Sequence, residues 1–174
     1  MNYYIADTHF GHANIIRLCR RPFADAEEMD TAIIDNWNAV VTDSDDVYIL
    51  GDFCYKSAHP SSWYLRQLNG RKHLITGNHD TEILSDPEVK NLFASISQME
   101  TVQDHGYAIF LCHYPVAEWP GFFSGTYHFF GHIHNSRSEA CEIMSRFSKA
   151  FNVGADLTGF TPRTAKEIIE GVTR

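Results

Sequence analysis

Aspartate, asparagine and histidine recur in this chain directly after short apolar runs. Residues 2–6 lead into Asp7-Thr8-His9, residues 47–50 into Gly51-Asp52, and residues 72–76 into Gly77-Asn78-His79-Asp80. Residues 107–112 are followed by His113, and residues 127–130 by Gly131-His132-Ile133-His134. Five of the ten histidines fall in these positions, where packing alone gives histidine no reason to gather. Carboxylate, imidazole and amide groups are ligands and acid–base groups, and a glycine before them permits a sharp turn and close backbone approach. Ligands of layered α/β folds bind at the C-terminal ends of strands, so the pattern predicts that several strand ends converge on one site.

The elements that must deliver these residues are legible in outline. The five apolar runs are rich in β-branched and aromatic residues, as buried strands are. Residues 14–20 read as a short helix carrying Ile15, Ile16 and Leu18. Asp25 and Glu28 have capping-box spacing, and Met29, Ala32, Ile33, Asn36, Trp37 and Val40 then recur along one helical face. Thr161 with Pro162 reads as the opening of a last helix through about residue 170. Strands alternating with helices early and mostly strands late indicate mixed α/β layers.

The 174 residues suit one compact domain, and no repeat, low-complexity tract or linker divides them, so 1–174 is read as a single domain. The longest apolar stretch is far short of the roughly 18–20 residues of a membrane-spanning helix. No signal-peptide pattern opens the chain, and the expected location is cytoplasmic, with no membrane partner. Cys19, Cys54, Cys112 and Cys141 show no CxxC spacing, which argues against a disulfide framework or a zinc–thiolate cluster. The net charge of −8 disfavours a protein that gains its affinity by neutralising nucleic-acid phosphates.

The five blocks resemble the calcineurin-like metallophosphoesterase superfamily, whose pattern is DxH, GD, GNH followed by D or E, a lone histidine after a strand, and GHxH. All five stand here in that order, from Asp7 to His134. One block alone recurs by chance, whereas the ordered set is specific. The resemblance implies a four-layer αββα sandwich of two mixed β-sheets with flanking helices, and a pair of divalent metals at the C-terminal strand ends. It assigns Asp7, His9, Asp52 and His134 to one ion and Asp52, Asn78, His113 and His132 to the other, with Asp52 bridging. Shared negative charge between two cations about 3.5–4 Å apart is physically required. The O and N donor set without thiolate suits Mn²⁺, Fe, Zn²⁺, Co²⁺ or Ni²⁺, with Mn²⁺ the working choice.

By resemblance the activity is hydrolysis of phosphate esters, phosphodiesters ahead of monoesters, through attack of a metal-bridging hydroxide. His79 would contact the phosphate and protonate the leaving oxygen. His12 is a candidate substrate contact from the first loop, with a plain helix start as the alternative. His59, His73, His105 and His128 read as structural or surface residues, and Cys54 and Cys112 as small hydrophobes. The aromatic loop 115–127, with Trp119, Phe122, Phe123 and Tyr127, reads either as a lid or as a segment packed on its own domain. Arg17, Arg20 and Arg21 read as a solvated helix face, with a phosphate clamp as the alternative. The Asp-Arg pair that protein phosphatases place after the second aspartate is absent, since Phe53-Cys54-Tyr55-Lys56 follows Asp52. The expected substrate is a small phosphate ester or nucleotide. A nuclease on DNA or RNA, and a non-catalytic interaction scaffold on the same fold, are the competing readings.

Overall fold

The apolar runs that precede the ligand blocks are strands, and they pair largely in parallel. The structure, a computed structural model, describes residues 1–171. In chain order its elements are β1 (Asn2–Ile5), α1 (Ala13–Cys19), α2 (Ala26–Val40), β2 (Asp46–Ile49), α3 (Ser61–Leu65), β3 (Arg71–Ile75), α4 (Thr81–Ser85) and α5 (Pro87–Lys90). There follow β4 (Ser95–Ser97), β5 (Met99–Asp104), β6 (Tyr107–Cys112), β7 (Tyr127–Phe130), α6 (Glu139–Met144), β8 (Ala150–Asn152), α7 (Ala155–Thr158), β9 (Arg163–Thr164) and α8 (Ala165–Glu170). One sheet has the order β4-β3-β2-β1-β9, parallel except for β9. The second has the order β5-β6-β7-β8, parallel except for the β5–β6 hairpin.

Strand alternation sorts the apolar residues into layers. Tyr3, Ile5, Val47, Ile49 and Leu74 face outward from the first sheet and pack with Ile15, Met29, Ile33, Trp37, Tyr64 and Leu65 of the helices. Tyr4, Leu50 and Ile75 point the other way and meet Val102, Ile109, Leu111, Phe129 and Phe151 of the second sheet. Phe110 and Cys112, on the outer face of the second sheet, lie under Trp119, Phe122 and Phe147. The architecture is the four-layer αββα sandwich, with a thin outermost layer built from loop residues and a single 3₁₀ turn at Phe122–Ser124. Among the described residues no helix is long and apolar enough to cross a membrane.

One local expectation shifts, and one of two open readings is met. The last helix begins at Ala165 rather than beside Pro162. Thr164 caps it with a full capping box to Glu167, while Arg163 is still paired with Tyr4 in the sheet. The aromatic loop packs on its own domain: Trp119 is buried against Phe122, His128 and Phe147, and its indole N–H donates to the Thr126 carbonyl at 2.8 Å.

Phe129 tests the inter-sheet layer. It is fully buried, and the ring of Tyr4 meets it edge-on at 5.1 Å. Phe129→Ala is expected to lower the unfolding free energy by about 3–5 kcal/mol, measured by denaturant titration of metal-free protein.

Candidate metal centre

Each ligand block begins where strand geometry gives out. Asp7, His9, Asp52, His132 and His134 all have left-handed backbone, with φ of 55°, 51°, 53°, 69° and 49°. They are five of the nine non-glycine residues with positive φ among those described. Such backbone costs on the order of 1–3 kcal/mol per residue and persists only where the surroundings over-determine it, commonly at functional sites. Two glycines explain how the turns come so close. A Cβ on Gly51 would lie 2.5 Å from His113 Nδ1, and one on Gly131 would lie 2.6 Å from Asp7 Oδ2.

Asp52 sits centrally. Its Oδ2 faces His9 Nε2 at 3.5 Å and His79 Nε2 at 3.9 Å, and its Oδ1 faces His113 Nε2 at 3.6 Å. The His79 backbone N–H donates to Asp52 Oδ1 at 2.9 Å, and the His132 N–H donates to Asp7 Oδ2 at 2.9 Å. Asp80, fully buried inside the GNHD block, accepts from the backbone N–H groups of Asp52, Phe53 and Gly77 and so ties two ligand loops together. The rings of His113 and His132 lie 5.1 Å apart, as do those of His9 and His134.

The donors fit cations. Both ring nitrogens of buried His9 lack a hydrogen-bond partner, an arrangement that costs free energy unless something electrophilic fills it. His113 Nδ1 lies 2.8 Å from the Leu50 carbonyl, which only accepts, so in the neutral ring Nδ1 carries the proton. Its Nε2 lone pair then faces Asn78 Oδ1 at 3.2 Å and Asp52 Oδ1 at 3.6 Å, so three electron-rich atoms converge. Burial pushes the Asp7 carboxyl up to about 7, against the pull of His134 and His113. Burial also drives His9 far down, with His134 and Arg21 adding to the effect. Burial thus favours the neutral form of both groups; added positive charge would draw Asp7 to its carboxylate and keep His9 the neutral imidazole that can ligate.

One ligand atom each from Asp7, His9 and His134 lie within 4.8 Å of one another, and the same holds for Asp7, Asp52 and His113. These clusters gather five of the seven residues singled out in the sequence as ligands, and Asn78 and His132 lie beside His113, with Asn78 Oδ1 at 3.2 Å from its Nε2 and the His132 ring at 5.1 Å. Asp7, His9, Asp52 and His113 are buried, while Asn78 is exposed at the mouth. By proximity Asp7 belongs to both groups, whereas the resemblance gives the bridging role to Asp52. The ring of His79 packs against Tyr55 at 4.0 Å, and His12 lies at the rim with its ring 5.4 Å from His9 and 4.9 Å from Tyr55.

No family model matches the chain. Two similar proteins nevertheless span nearly all of it. It is 34% identical over 170 residues to the uncharacterized protein MJ1445 of Methanocaldococcus jannaschii, covering 97% of this chain and 89% of that protein. The solved structure of AQ665 from Aquifex aeolicus, a protein of unknown function, is 30% identical with a TM-score of 0.77 and 98% of both chains covered. Identity of this extent places the chain in one family with these two proteins. The five ordered blocks, which meet at one edge of an αββα sandwich, resemble those of the calcineurin-like metallophosphoesterase superfamily. A nuclease MPE from Pseudomonas putida is a looser likeness, 23% identical with a TM-score of 0.49 over 76% of this chain and 60% of that one.

Two residues at the site had other readings or none in the sequence. Arg21 is neither solvated nor free to clamp phosphate: its side chain is fully buried and spent on internal partners. Arg17 and Arg20 are exposed as expected. Asp156, from α7, meets both Arg21 and His134. Burial is the largest single influence on His134 and lowers its pKa, but the hydrogen bond with Asp156, together with Cys19 and the Asp7 charge, outweighs that and raises it to about 10. His128, by contrast, is the structural residue expected, accepting from the Val116 N–H and lying 3.2 Å from the Phe110 carbonyl.

Proposed function

We propose that this protein is a dinuclear, divalent-metal-dependent phosphoesterase that prefers phosphodiesters. The observation that carries the reading is the buried set Asp7, His9, Asp52 and His113, whose lone pairs face one another or face nothing. A scaffold without metal chemistry gains nothing from that arrangement, which costs folding free energy.

Asp7, His9, Asp52 and His134 would hold one ion, and Asp52, Asn78, His113 and His132 the other. Mn²⁺ is the working assignment within the group Mn²⁺, Fe, Zn²⁺, Co²⁺ and Ni²⁺. Bound there, divalent ions supply Lewis-acid contacts to phosphoryl oxygens and acidify coordinated water. The chain's own residues do the rest. Asp52 shares its two oxygens between the two halves of the site. His79, a third exposed at its side chain, contacts the phosphate and gives a proton to the leaving oxygen. His12, at the rim, extends the substrate contacts.

The diester preference follows from charge. A monoester dianion needs added cationic donors around its extra oxygen. Here Arg21 is buried in internal bonds, and the Lys56 ammonium lies over the Tyr55 ring at 5.1 Å. A small phosphate diester, with a single negative charge, asks less of the pocket.

The test is a matched pair of aryl substrates, bis(p-nitrophenyl) phosphate and p-nitrophenyl phosphate, at equal pH and Mn²⁺. The diester is expected to show a kcat/KM at least about tenfold higher, and a chelator is expected to abolish turnover until metal is restored. Full turnover in verified metal-free protein would overturn the metal-dependent reading. A monoester preference would overturn the diester clause and point to Lys56, Arg17 and Arg20.

A further inference from the structure

Apart from Asp7, which lies in both groups, the two groups of donors are held by different supports. On one side, His113 Nδ1 meets the Leu50 carbonyl, and Asp80 fastens the loops that carry Asp52 and Asn78. On the other side, a single guanidinium bonds the backbone of Asp7 and Thr8 and is linked to His134 through Asp156. Arg21 Nη2 donates to the Asp7 carbonyl at 2.7 Å, and Nη1 donates to the Thr8 carbonyl at 2.8 Å, between Asp7 and His9. Its Nε and Nη2 donate to Asp156 Oδ1 and Oδ2 at 2.8 and 3.2 Å. Asp156 Oδ2 in turn lies 2.9 Å from His134 Nδ1. The side chains of Arg21 and Asp156 are 0% and 2% exposed.

This bonding has two physical effects. Asp7 and His9 both have left-handed backbone, and Arg21 satisfies the carbonyls of the turn that joins them. The carboxylate at Nδ1 fixes the tautomer and rotation of His134, leaving Nε2 as its ligand atom. Such an outer partner typically changes metal affinity about 10–100-fold.

Cys19, His134 and Asp156 also come within 4.8 Å of one another and so form another cluster of ligand-type groups. It does not serve as a cation site, because both Asp156 oxygens already accept from the Arg21 guanidinium, whose positive charge repels a metal.

We infer that Arg21 and Asp156 are positioning residues for one ion only, the one held by Asp7, His9 and His134. The inference rests on the dinuclear reading above. The companion ion, with Asn78, His113 and His132, has its own supports and is expected to survive loss of this pair.

The test compares wild type with Asp156→Asn and Arg21→Lys, each stripped of metal and titrated with Mn²⁺. The readouts are stoichiometry by calorimetry and elemental analysis, the EPR spectrum of the loaded protein, and the unfolding midpoint of the metal-free form. Two ions with a spin-coupled spectrum are expected for wild type. Each variant is expected to keep one ion at near wild-type affinity and to bind the other at least about tenfold more weakly, giving an uncoupled Mn²⁺ spectrum at limiting metal. Two tightly bound ions in both variants would overturn the inference. Loss of both ions together with a lowered metal-free midpoint would also overturn it, since the role would then be general folding. A wild type that binds fewer than two ions would overturn the dinuclear reading itself, and this inference with it.

Discussion

Asp52→Asn is expected to reduce phosphodiester turnover by at least about 10³-fold, equivalent to some 4 kcal/mol of barrier, and to leave the protein with less than its full metal complement. The carboxylate presents Oδ2 to His9 and Oδ1 to His113, so it is the group best placed to offset repulsion between two cations. The amide has nearly the same shape and can still accept from the His79 N–H at the position of Oδ1. What it removes is charge. Metal-free Asp52→Asn should therefore unfold no earlier than metal-free wild type, because a buried carboxylate close to Asp7 has been neutralised. The variants should separate only when Mn²⁺ is added: wild type gains stability by mass action and Asp52→Asn gains less. Elemental analysis and thermal unfolding with and without Mn²⁺ check both parts. A variant with full metal content and wild-type turnover would remove Asp52 from the bridging position.

That Asp52 could be singled out without coordinates reflects how such sites are built. The strands β1, β2, β3, β6 and β7 are buried at their C-terminal ends, where apolar residues gather, and each abrupt change to Asp, Asn or His after them marks a strand end. Elements without that contrast were not legible. Strand β5 exposes alternate residues at a sheet edge and shows no unbroken apolar run. It is fixed by its hairpin, whose two turn residues His105 and Gly106 both have positive φ. Strands β4 and β8 are three residues long, and helices α3 and α6 are too short to show a period.

The support of the site was hidden for another reason. Arg21 follows a surface helix beside two exposed arginines, and nothing local distinguishes it from them. Its partner Asp156 lies 135 positions later in the chain. Only the closing of β1 against the segment before α7, through the Ala6 N–H to the Val153 carbonyl and the Ala155 N–H to the Ala6 carbonyl, brings the two together. Ligand residues announce themselves by type and spacing, whereas outer-shell partners are defined by tertiary contact. Asp80 shows the boundary between the two: its place in the GNHD block was visible, and its three backbone hydrogen bonds were not.

His79→Ala is expected to lower kcat by about 10²–10⁴-fold while leaving metal content near wild type. Its ring stands at the mouth, Nε2 being 3.9 Å from Asp52 Oδ2, and its contribution to holding Asp52 comes from the backbone N–H, which alanine retains. The loss should depend on the leaving group. An aryl oxide departs with little need for a proton, so nitrophenyl diesters should show the lower end of that range. An alkoxide departs only when protonated, so alkyl diesters should show the upper end. A plot of log kcat/KM against leaving-group pKa should therefore be steeper for His79→Ala than for wild type. Equal slopes would mean that His79 binds the phosphate without transferring a proton, and then the loss should appear equally for both substrate types. The sharper contradiction would come from the metal analysis. If His79→Ala emptied the centre while Asp52→Asn kept both ions, the imidazole would be the ligand and the carboxylate the auxiliary group, reversing the order in which the backbone and side-chain contacts rank them.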